Sequence, residues 1–391
     1  MANLTEVRVG IVGLGNMGSE HAKNIYAGVV KGMKLAALCD IAPVRKEAMT
    51  ELYPDVPFFD TSAELIRSGL VDLVVVAVPH YDHPSIAIDA FENGLNVITE
   101  KPAGVYTKQV LEMNEAAEKS GKLFGIMYNQ RTRAQFQKVK QLVDSGVLGT
   151  IKRVQWTVTT WYRPQAYHDS CTWRSTWKTE GGGALINQNP HHLDLWQWIF
   201  GMPSKIMSHV SFGKYYDIEV EDDVTAFMQY DNGMTGVYIT STGEAPGTNR
   251  LEIACDMGRV VVEDGKITFD RNEISEREFN ATFDGIFGSP EYWKCSVPVP
   301  SEDGKLVEHP AIFQNVANAL INGTPLLSPG KEGINGLTIS NAIHYSAWTG
   351  GWADCKNFPH DEFYALLQDK IAKSTVVKKE IQRTMDTTGT Y

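Results

Sequence analysis

The feature that most constrains the fold is a short apolar strand followed directly by a glycine-rich turn and a helix. Val7–Val12 is a β-branched run typical of a strand that is buried on both faces. It leads into GLGNMG (13–18), a helical stretch at Ser19–Val30 and a second strand at Met33–Cys39. An alternation of strands and helices predicts a parallel sheet with helices on both faces.

The same alternation continues up to about residue 100. Val71–Val78 is a further apolar run, Ser85–Asn93 is helical in character, and Asn96–Thr99 reads as one more strand. We therefore expect residues 1–128 to form an α/β domain with a doubly wound parallel sheet of the Rossmann type.

The glycine pattern predicts a dinucleotide site. Glycines at the first βα turn allow backbone to approach a pyrophosphate at the helix N-terminus, and an acidic residue closing the second strand accepts bonds from ribose hydroxyls. That residue, Asp40, would also repel a 2′-phosphate, so the expected cofactor is NAD rather than NADP. The predicted cofactor contacts are Gly13, Gly15, Asn16, Met17, Gly18, Asp40, Pro79, His80, His83, Glu100 and Lys101.

The second half of the chain has a different pattern. Short β-rich runs extend from Ile151 to about Phe269, and the turn Asp231-Asn232-Gly233 is an antiparallel hairpin signal. The chain becomes helical again from about Ala311. Because 391 residues exceed what one core usually supports, we expect a second, α+β domain over residues 129–391.

Charge and cysteine usage exclude several classes of partner. The net charge is −11 without a block of like charges, which argues against nucleic acid and anionic membranes. No apolar run is long enough to span a bilayer, and the N-terminus lacks the pattern of a signal peptide. Five dispersed cysteines form no CxxC pair, so we expect reduced thiols, a cytoplasmic location and no bound metal.

Four motifs in order carry a family resemblance: GLGNMG, PHYDH (79–83), NVITEKPAG (96–104) and GGGALINQNPHHLDL (181–195). Together they resemble the Gfo/Idh/MocA oxidoreductase family. The resemblance implies that the second domain contains a large open antiparallel sheet, and that helices in residues 311–391 pack back towards the first domain. It also implies a homodimer or homotetramer that assembles through this sheet.

The resemblance assigns three catalytic candidates. The catalytic lysine of the family corresponds to Lys101. In the motif that begins with three glycines, the family's histidine corresponds to His191 and its first aspartate to Asn187. His192 has no counterpart and is expected to pack inside the protein. A buried lysine ammonium can stabilise a developing oxyanion or act as the base, so the choice of base between Lys101 and His191 stays open.

Two helix starts are compatible with this region. Asn189 followed by Pro190 resembles an N-cap and a first helical position, which puts His191 in the first turn. The resemblance instead begins the helix near Gly183 and kinks it at Pro190.

The segment before the glycines is rich in aromatic residues and arginines, which suits the C–H faces and hydroxyls of a sugar or polyol. Strand-edge or subunit-contact aromatics are an equally weighted alternative, and the arginines would also suit the carboxylate or sulfonate of an acidic sugar. The predicted substrate contacts are Lys101, Tyr162, Arg163, Trp173, Arg174, Asn187 and His191.

The activity implied by the resemblance is NAD-dependent oxidation of a secondary alcohol of a sugar, glycoside or inositol. Two alternatives remain at this stage. One is a glycosidase that oxidises its substrate transiently and recycles NAD, and the other is a regulator that binds NAD and sugar without turnover.

Overall fold

The structure, a computed structural model, describes residues 5–376. Its first sheet has six parallel strands in the order β3-β2-β1-β4-β5-β6, which confirms the doubly wound arrangement. The elements of this part are β1 (Val7–Val12), α1 (Asn16–Tyr26), β2 (Met33–Cys39), α2 (Pro43–Leu52), β3 (Phe58–Phe59), α3 (Ser62–Arg67), β4 (Leu73–Val76), α4 (His83–Glu92), β5 (Asn96–Thr99), α5 (Thr107–Ser120) and β6 (Phe124–Ile126).

The first helix lies earlier in the chain than the prediction placed it. It runs from Asn16 to Tyr26 rather than from Ser19 to Val30. Gly15 occupies the N-cap position, so the helix begins inside the glycine motif. The chain leaves the helix at Ala27 and Gly28, where a positive φ of 68° is readily adopted by a residue without a Cβ.

The second sheet has nine strands in the order β14-β13-β12-β11-β7-β10-β9-β8-β15. Its elements and those that flank it are α6 (Ala134–Asp144), β7 (Ile151–Val158), α7 (Gln165–His168), α8 (Pro190–Phe200), β8 (Lys205–Phe212), β9 (Glu221–Gln229), β10 (Thr235–Ser241), β11 (Asn249–Cys255), β12 (Gly258–Glu263), β13 (Lys266–Asn272), α9 (Glu276–Thr282), β14 (Tyr292–Val297), α10 (Glu308–Asn322), α11 (Gly333–Thr349), β15 (Ala353–Asp354) and α12 (His360–Lys373). Short 3₁₀ segments lie at His80–Asp82, Asn129–Thr132 and Gly330–Glu332.

This sheet is antiparallel except for the pairing of β7 with β10, so the expected open antiparallel sheet is confirmed with one parallel pair. The turn at residues 231–233 connects β9 to β10, as its sequence predicts. Strand β14 follows a mostly exposed segment and was not predicted.

Helices α8 and α10 pack against different sheets. Trp196 of α8 stacks on Trp156 of β7 beneath the nine-stranded sheet. Phe313 and Val316 of α10 are buried in one core with Val7 and Val9 of β1, so this helix returns to the first domain. The final part of the predicted helical region, residues 377–391, lies outside the described residues.

Residues 5–376 contain no helix that is long and apolar enough to cross a membrane. Within that same range, no group of three or more His, Cys, Asp or Glu side chains is arranged to hold a metal ion.

A buried ion pair fixes α8 against the end of the first domain. The guanidinium of Arg131 donates from Nε and Nη2 to both carboxylate oxygens of Asp194, at 2.8 and 2.6 Å, and from Nη1 to Glu332 at 2.7 Å. Both side chains of the Arg131–Asp194 pair are 1% exposed. A paired arginine in this position must keep its counterion because an isolated buried charge is costly.

Asp194→Asn should therefore lower the free energy of unfolding by about 3 kcal/mol, because the charge of Arg131 would lose its best partner. Urea denaturation followed by tryptophan fluorescence measures this change. Glu115→Gln, which breaks the exposed pair with Lys119, is the matched control and should leave the urea midpoint almost unchanged. Equal losses in the two variants would contradict the assignment.

Candidate active site

The glycine motif leaves an open surface at the start of α1. A Cβ on Gly13 would lie 2.5 Å from the carbonyl oxygen of Ala77, and one on Gly18 would lie 1.8 Å from the carbonyl oxygen of Gly13. These two glycines therefore allow the turn to pack against β4. By contrast, a Cβ on Gly15 would meet nothing within 4 Å, and Gly15 and Asn16 are exposed at the helix N-terminus. This geometry suits a pyrophosphate approaching the backbone.

Asp40 lies beside this turn at the end of β2. Its carboxylate accepts the backbone N–H of Leu14 at 2.7 Å and that of Ala42 at 2.8 Å. Each carboxylate oxygen has a second lone pair, so the half-buried side chain keeps acceptors for the ribose hydroxyls of a dinucleotide. The residues of the first domain thus fit NAD.

Glu100 is held behind the site by a buried histidine. Its Oε1 lies 2.7 Å from Nε2 of His21 in α1, and both side chains are almost fully buried. Burial alone would raise the pKa of Glu100, but the bond with His21 and the nearby positive groups lower it to about 2. His309 of α10 contacts His21, with 5.4 Å between the ring centroids. The carboxylate therefore remains charged throughout the neutral range.

Lys101 follows Glu100 and points towards the second domain. Its Nζ donates to the backbone carbonyl of Asn187 at 3.0 Å. Burial lowers the pKa of Lys101, and the charge of Glu100 opposes that effect. Lys101 is thus a buried cation with a lowered pKa, placed where the end of β5 meets the glycine-rich loop.

The PHYDH segment follows β4, and its two histidines support the surrounding loops. His80 is buried, and its Nδ1 lies 3.1 Å from the carbonyl oxygen of Glu180. His83 has both ring nitrogens engaged, 2.8 Å from the carbonyl of Pro102 and 2.7 Å from that of Val78. His83 therefore braces the cofactor loop through both ring nitrogens, and its contact with the cofactor stays a prediction. Pro79 is exposed beside them.

Helix α8 begins at Pro190, with Asn189 in the N-cap position, so the interpretation of a kinked helix starting near Gly183 is wrong. The side chain of Asn189 does not cap the helix. It donates to the carbonyl of Ala184 and accepts from the hydroxyl of Tyr238 at 2.7 Å. Residues 184–188 form turns. The chain before them packs tightly against β9, and only a glycine fits at position 183, where a Cβ would lie 2.1 Å from the carbonyl oxygen of Glu221.

The adjacent histidines have different surroundings. His191, in the first turn of α8, is buried, and both burial and the charge of Lys101 lower its pKa well below the usual value. His192 packs edge-on against Trp156, with ring centroids 5.4 Å apart, and lies near Trp161. Burial lowers the pKa of His192 to about 4. His191 is therefore the histidine near Lys101, and His192 lies among aromatic side chains of the core.

Asn187 has a partner that the sequence analysis missed. Its Nδ2 donates to Oε1 of Glu180, a side chain that is 3% exposed. The other carboxylate oxygen of Glu180 accepts the backbone N–H of Ser175 at 2.5 Å. Burial raises the pKa of Glu180, and the charge of Arg174 acts in the opposite direction.

The predicted substrate side contains arginines stacked on aromatic rings. The guanidinium of Arg174 lies 4.4 Å from the ring centre of Tyr167 and 4.6 Å from that of Trp173. Arg163 lies 5.1 Å from the ring centre of Tyr167, and its Nη1 donates to the carbonyl of Tyr162. Both arginines are near enough to Lys101 to act on it electrostatically. Tyr162, at the edge of this cluster, is 45% exposed.

Comparisons with known proteins agree with these features. Residues 7–128 match the model of an oxidoreductase family with an NAD-binding Rossmann fold, and residues 136–261 match the model of the GFO/IDH/MocA C-terminal domain. The rhizopine catabolism protein MocA of Rhizobium meliloti is 26% identical over 51% of this chain, and D-glucoside 3-dehydrogenase of Escherichia coli is 27% identical over 58%. The alignments span 58% and 68% of those two relatives.

A solved structure has the same fold over most of its length. The WlbA dehydrogenase of Bordetella pertussis, in complex with NADH and UDP-GlcNAcA, is 26% identical with a TM-score of 0.74. The match covers 89% of this chain and 98% of that one.

Asp40→Ser should weaken the preference for NAD over NADP, because it removes the charge that repels a 2′-phosphate. Fluorescence titration gives the dissociation constants of NADH and NADPH. The wild type should favour NADH, and the variant should lose about tenfold or more of this preference, the effect of removing one close charge repulsion. Asp60→Ser, at an exposed aspartate of the same domain, is the control. A wild type that binds both cofactors equally would refute the role of Asp40.

Proposed function

Since the chain belongs to the Gfo/Idh/MocA oxidoreductase family, we propose that it oxidises a secondary alcohol of a sugar, glycoside or inositol. The observation that carries the proposal is a buried lysine at the end of β5 within electrostatic range of a buried histidine in the first turn of α8. Lys101 lowers the pKa of His191 by its charge, and burial favours the neutral form of both side chains. NAD would supply the chemistry of hydride acceptance.

The two residues suit different parts of the reaction. The ammonium of Lys101, directed by its bond to the carbonyl of Asn187, can donate to the substrate oxygen and stabilise negative charge on it. His191 is neutral at pH 7, which is the form that accepts a hydroxyl proton. In this assignment His191 is the base and Lys101 holds the oxygen. The reverse assignment would make Lys101 the base in its neutral form.

The aromatic cluster suits the substrate class. Trp173 and Tyr167 offer apolar ring surface, and Arg163 and Arg174 offer donors that sugar hydroxyls accept. The names of the relatives, which include a glucoside dehydrogenase and a protein of rhizopine catabolism, point the same way.

NADH formation from a panel of sugars, glycosides and inositols, with mass analysis of each product, tests the proposal. We expect a product two mass units lighter than its substrate and one NADH for each turnover. Lys101→Ala should lower kcat by about 100-fold or more while NAD binding survives. Bond cleavage without net NADH would indicate the NAD-recycling glycosidase, and binding without any turnover would indicate the regulator.

The pH profile separates the two histidines. Because burial and Lys101 lower the pKa of His191, the acid limb of kcat/KM should lie well below the usual titration range of a histidine in the wild type. His191→Ala should lower kcat by about 100-fold or more and remove that limb. His192→Ala should lower the melting temperature and leave kcat within about threefold of the wild type, as for a packing residue. The opposite pattern would show that the catalytic register is shifted by one residue.

We also propose a cytoplasmic homodimer or homotetramer that assembles through the nine-stranded sheet. On its outer face, Met207, Phe227 and Val237 form one cross-strand row, and Phe227 stacks edge-on with the half-exposed Trp352. An apolar row on an open sheet face is typical of subunit contacts. Sedimentation velocity tests this assembly, and a monomer at micromolar concentration would refute it.

A further inference from the structure

Glu180 lies at the site without a place in the proposed reaction, and it is one of the most deeply buried carboxylates there. It directly precedes the three glycines, and its side chain is 3% exposed. A carboxylate in this environment is costly unless donors satisfy both of its oxygens. The identity of those donors indicates what the residue does.

One donor is a backbone amide held in an unfavourable conformation. Ser175 has a φ of 61°, which residues with a Cβ seldom adopt, and its N–H donates to Oε2 of Glu180. The hydroxyl of Ser175 lies 2.7 Å from Nδ1 of the buried His168. The loop is thus held so that an amide points at the carboxylate.

The other donor is the side-chain amide of Asn187. An ionised carboxylate only accepts hydrogen bonds, so the amide must present Nδ2 to Glu180 and turn Oδ1 to the opposite side. The backbone carbonyl of the same residue accepts from Lys101. Asn187 is half-buried, and its Oδ1 is the acceptor that remains for a ligand next to the lysine.

We infer that Glu180 is a positioning residue for the proposed reaction: its buried carboxylate locks the Asn187 amide with Oδ1 as an acceptor for the substrate beside Lys101. The arrangement provides an acceptor oxygen at residue 187 without placing a negative charge there. The negative charge is instead held at residue 180, where Nη1 of Arg174 lies 3.8 Å from Oε1 of Glu180.

Other charged or titratable groups surround the carboxylate. Arg174 and the backbone amide of Ser175 favour its ionised form, whereas the charge of Glu221 disfavours it. Lys101 is near enough for Glu180 to act on it electrostatically, and His80 contacts the carbonyl of Glu180. None of these groups replaces the bond to Asn187.

The inference rests on the proposed function, and exchanging the carboxylate of residue 180 with the amide of residue 187 tests it. Glu180→Gln lets the amide of Asn187 flip, because a glutamine both donates and accepts, so kcat should fall by about 10- to 100-fold. Asn187→Asp places two carboxylates in contact and should lower kcat similarly at pH 8. The double variant E180Q/N187D restores one amide and one carboxylate, so its kcat should exceed that of Asn187→Asp by about tenfold, while the charge now at residue 187 keeps it below the wild type.

The pH profile gives a readout that a purely structural role would not change. The defect of Asn187→Asp should shrink as the pH falls, because two facing carboxyl groups then share one proton and bond again. The defect of Glu180→Gln should not depend on pH in this way. This profile also keeps the inference testable if Glu180→Gln fails to fold.

Glu219→Gln is the matched control. Glu219 also accepts a backbone N–H from this loop, that of Trp177 at 2.9 Å. Its replacement should leave kcat within about twofold of the wild type.

Each outcome has a defined meaning. An active wild type whose Glu180→Gln variant keeps normal kcat, or whose exchanged double variant is no better than Asn187→Asp, overturns the inference alone. A wild type that forms no NADH from any compound overturns the proposed function and the inference together.

Discussion

The bond from the Lys101 ammonium to the carbonyl of Asn187 joins the two halves of the site. A buried ammonium needs acceptors, and the end of β5 supplies only the neighbouring Glu100, whose carboxylate is engaged by His21. The remaining acceptor comes from the glycine-rich loop, which packs closely against Val105 because Gly181 carries no side chain. This contact holds the loop at the end of β5, while the Arg131–Asp194 pair holds α8 and its histidines.

Much of the first domain was predictable because its strands are short β-branched runs bounded by turn residues. β1, β2 and β5 begin and end at the predicted residues. Boundaries failed where backbone geometry outweighs side-chain propensity, as in α1, which begins at Asn16 after the Gly15 cap. β14 was missed because its side chains are mostly exposed at the edge of the sheet, so no apolar alternation marks it.

The site was predictable only where its residues follow motifs. The positions of Lys101, Asn187 and His191 could be read from the chain, but their mutual contacts could not. His309 reaches Glu100 and His21 from a helix more than two hundred residues away in the sequence, a distance over which no local pattern operates. Glu180 did carry a signal, since it adjoins the glycines, yet an acidic residue before a flexible turn usually lies in solvent.

The distribution of charge explains why an amide rather than a carboxylate lies at residue 187. In the proposed reaction the base histidine is useful only when neutral, and a carboxylate near it would favour imidazolium. Here both carboxylates near the lysine are satisfied elsewhere: Glu100 by His21, and Glu180 by Ser175, Asn187 and Arg174. The charge that acts most strongly on His191 is then the cation of Lys101, which lowers its pKa. In the proposed reaction, the amide preserves an acceptor for the substrate, and the histidine keeps the form that accepts a proton.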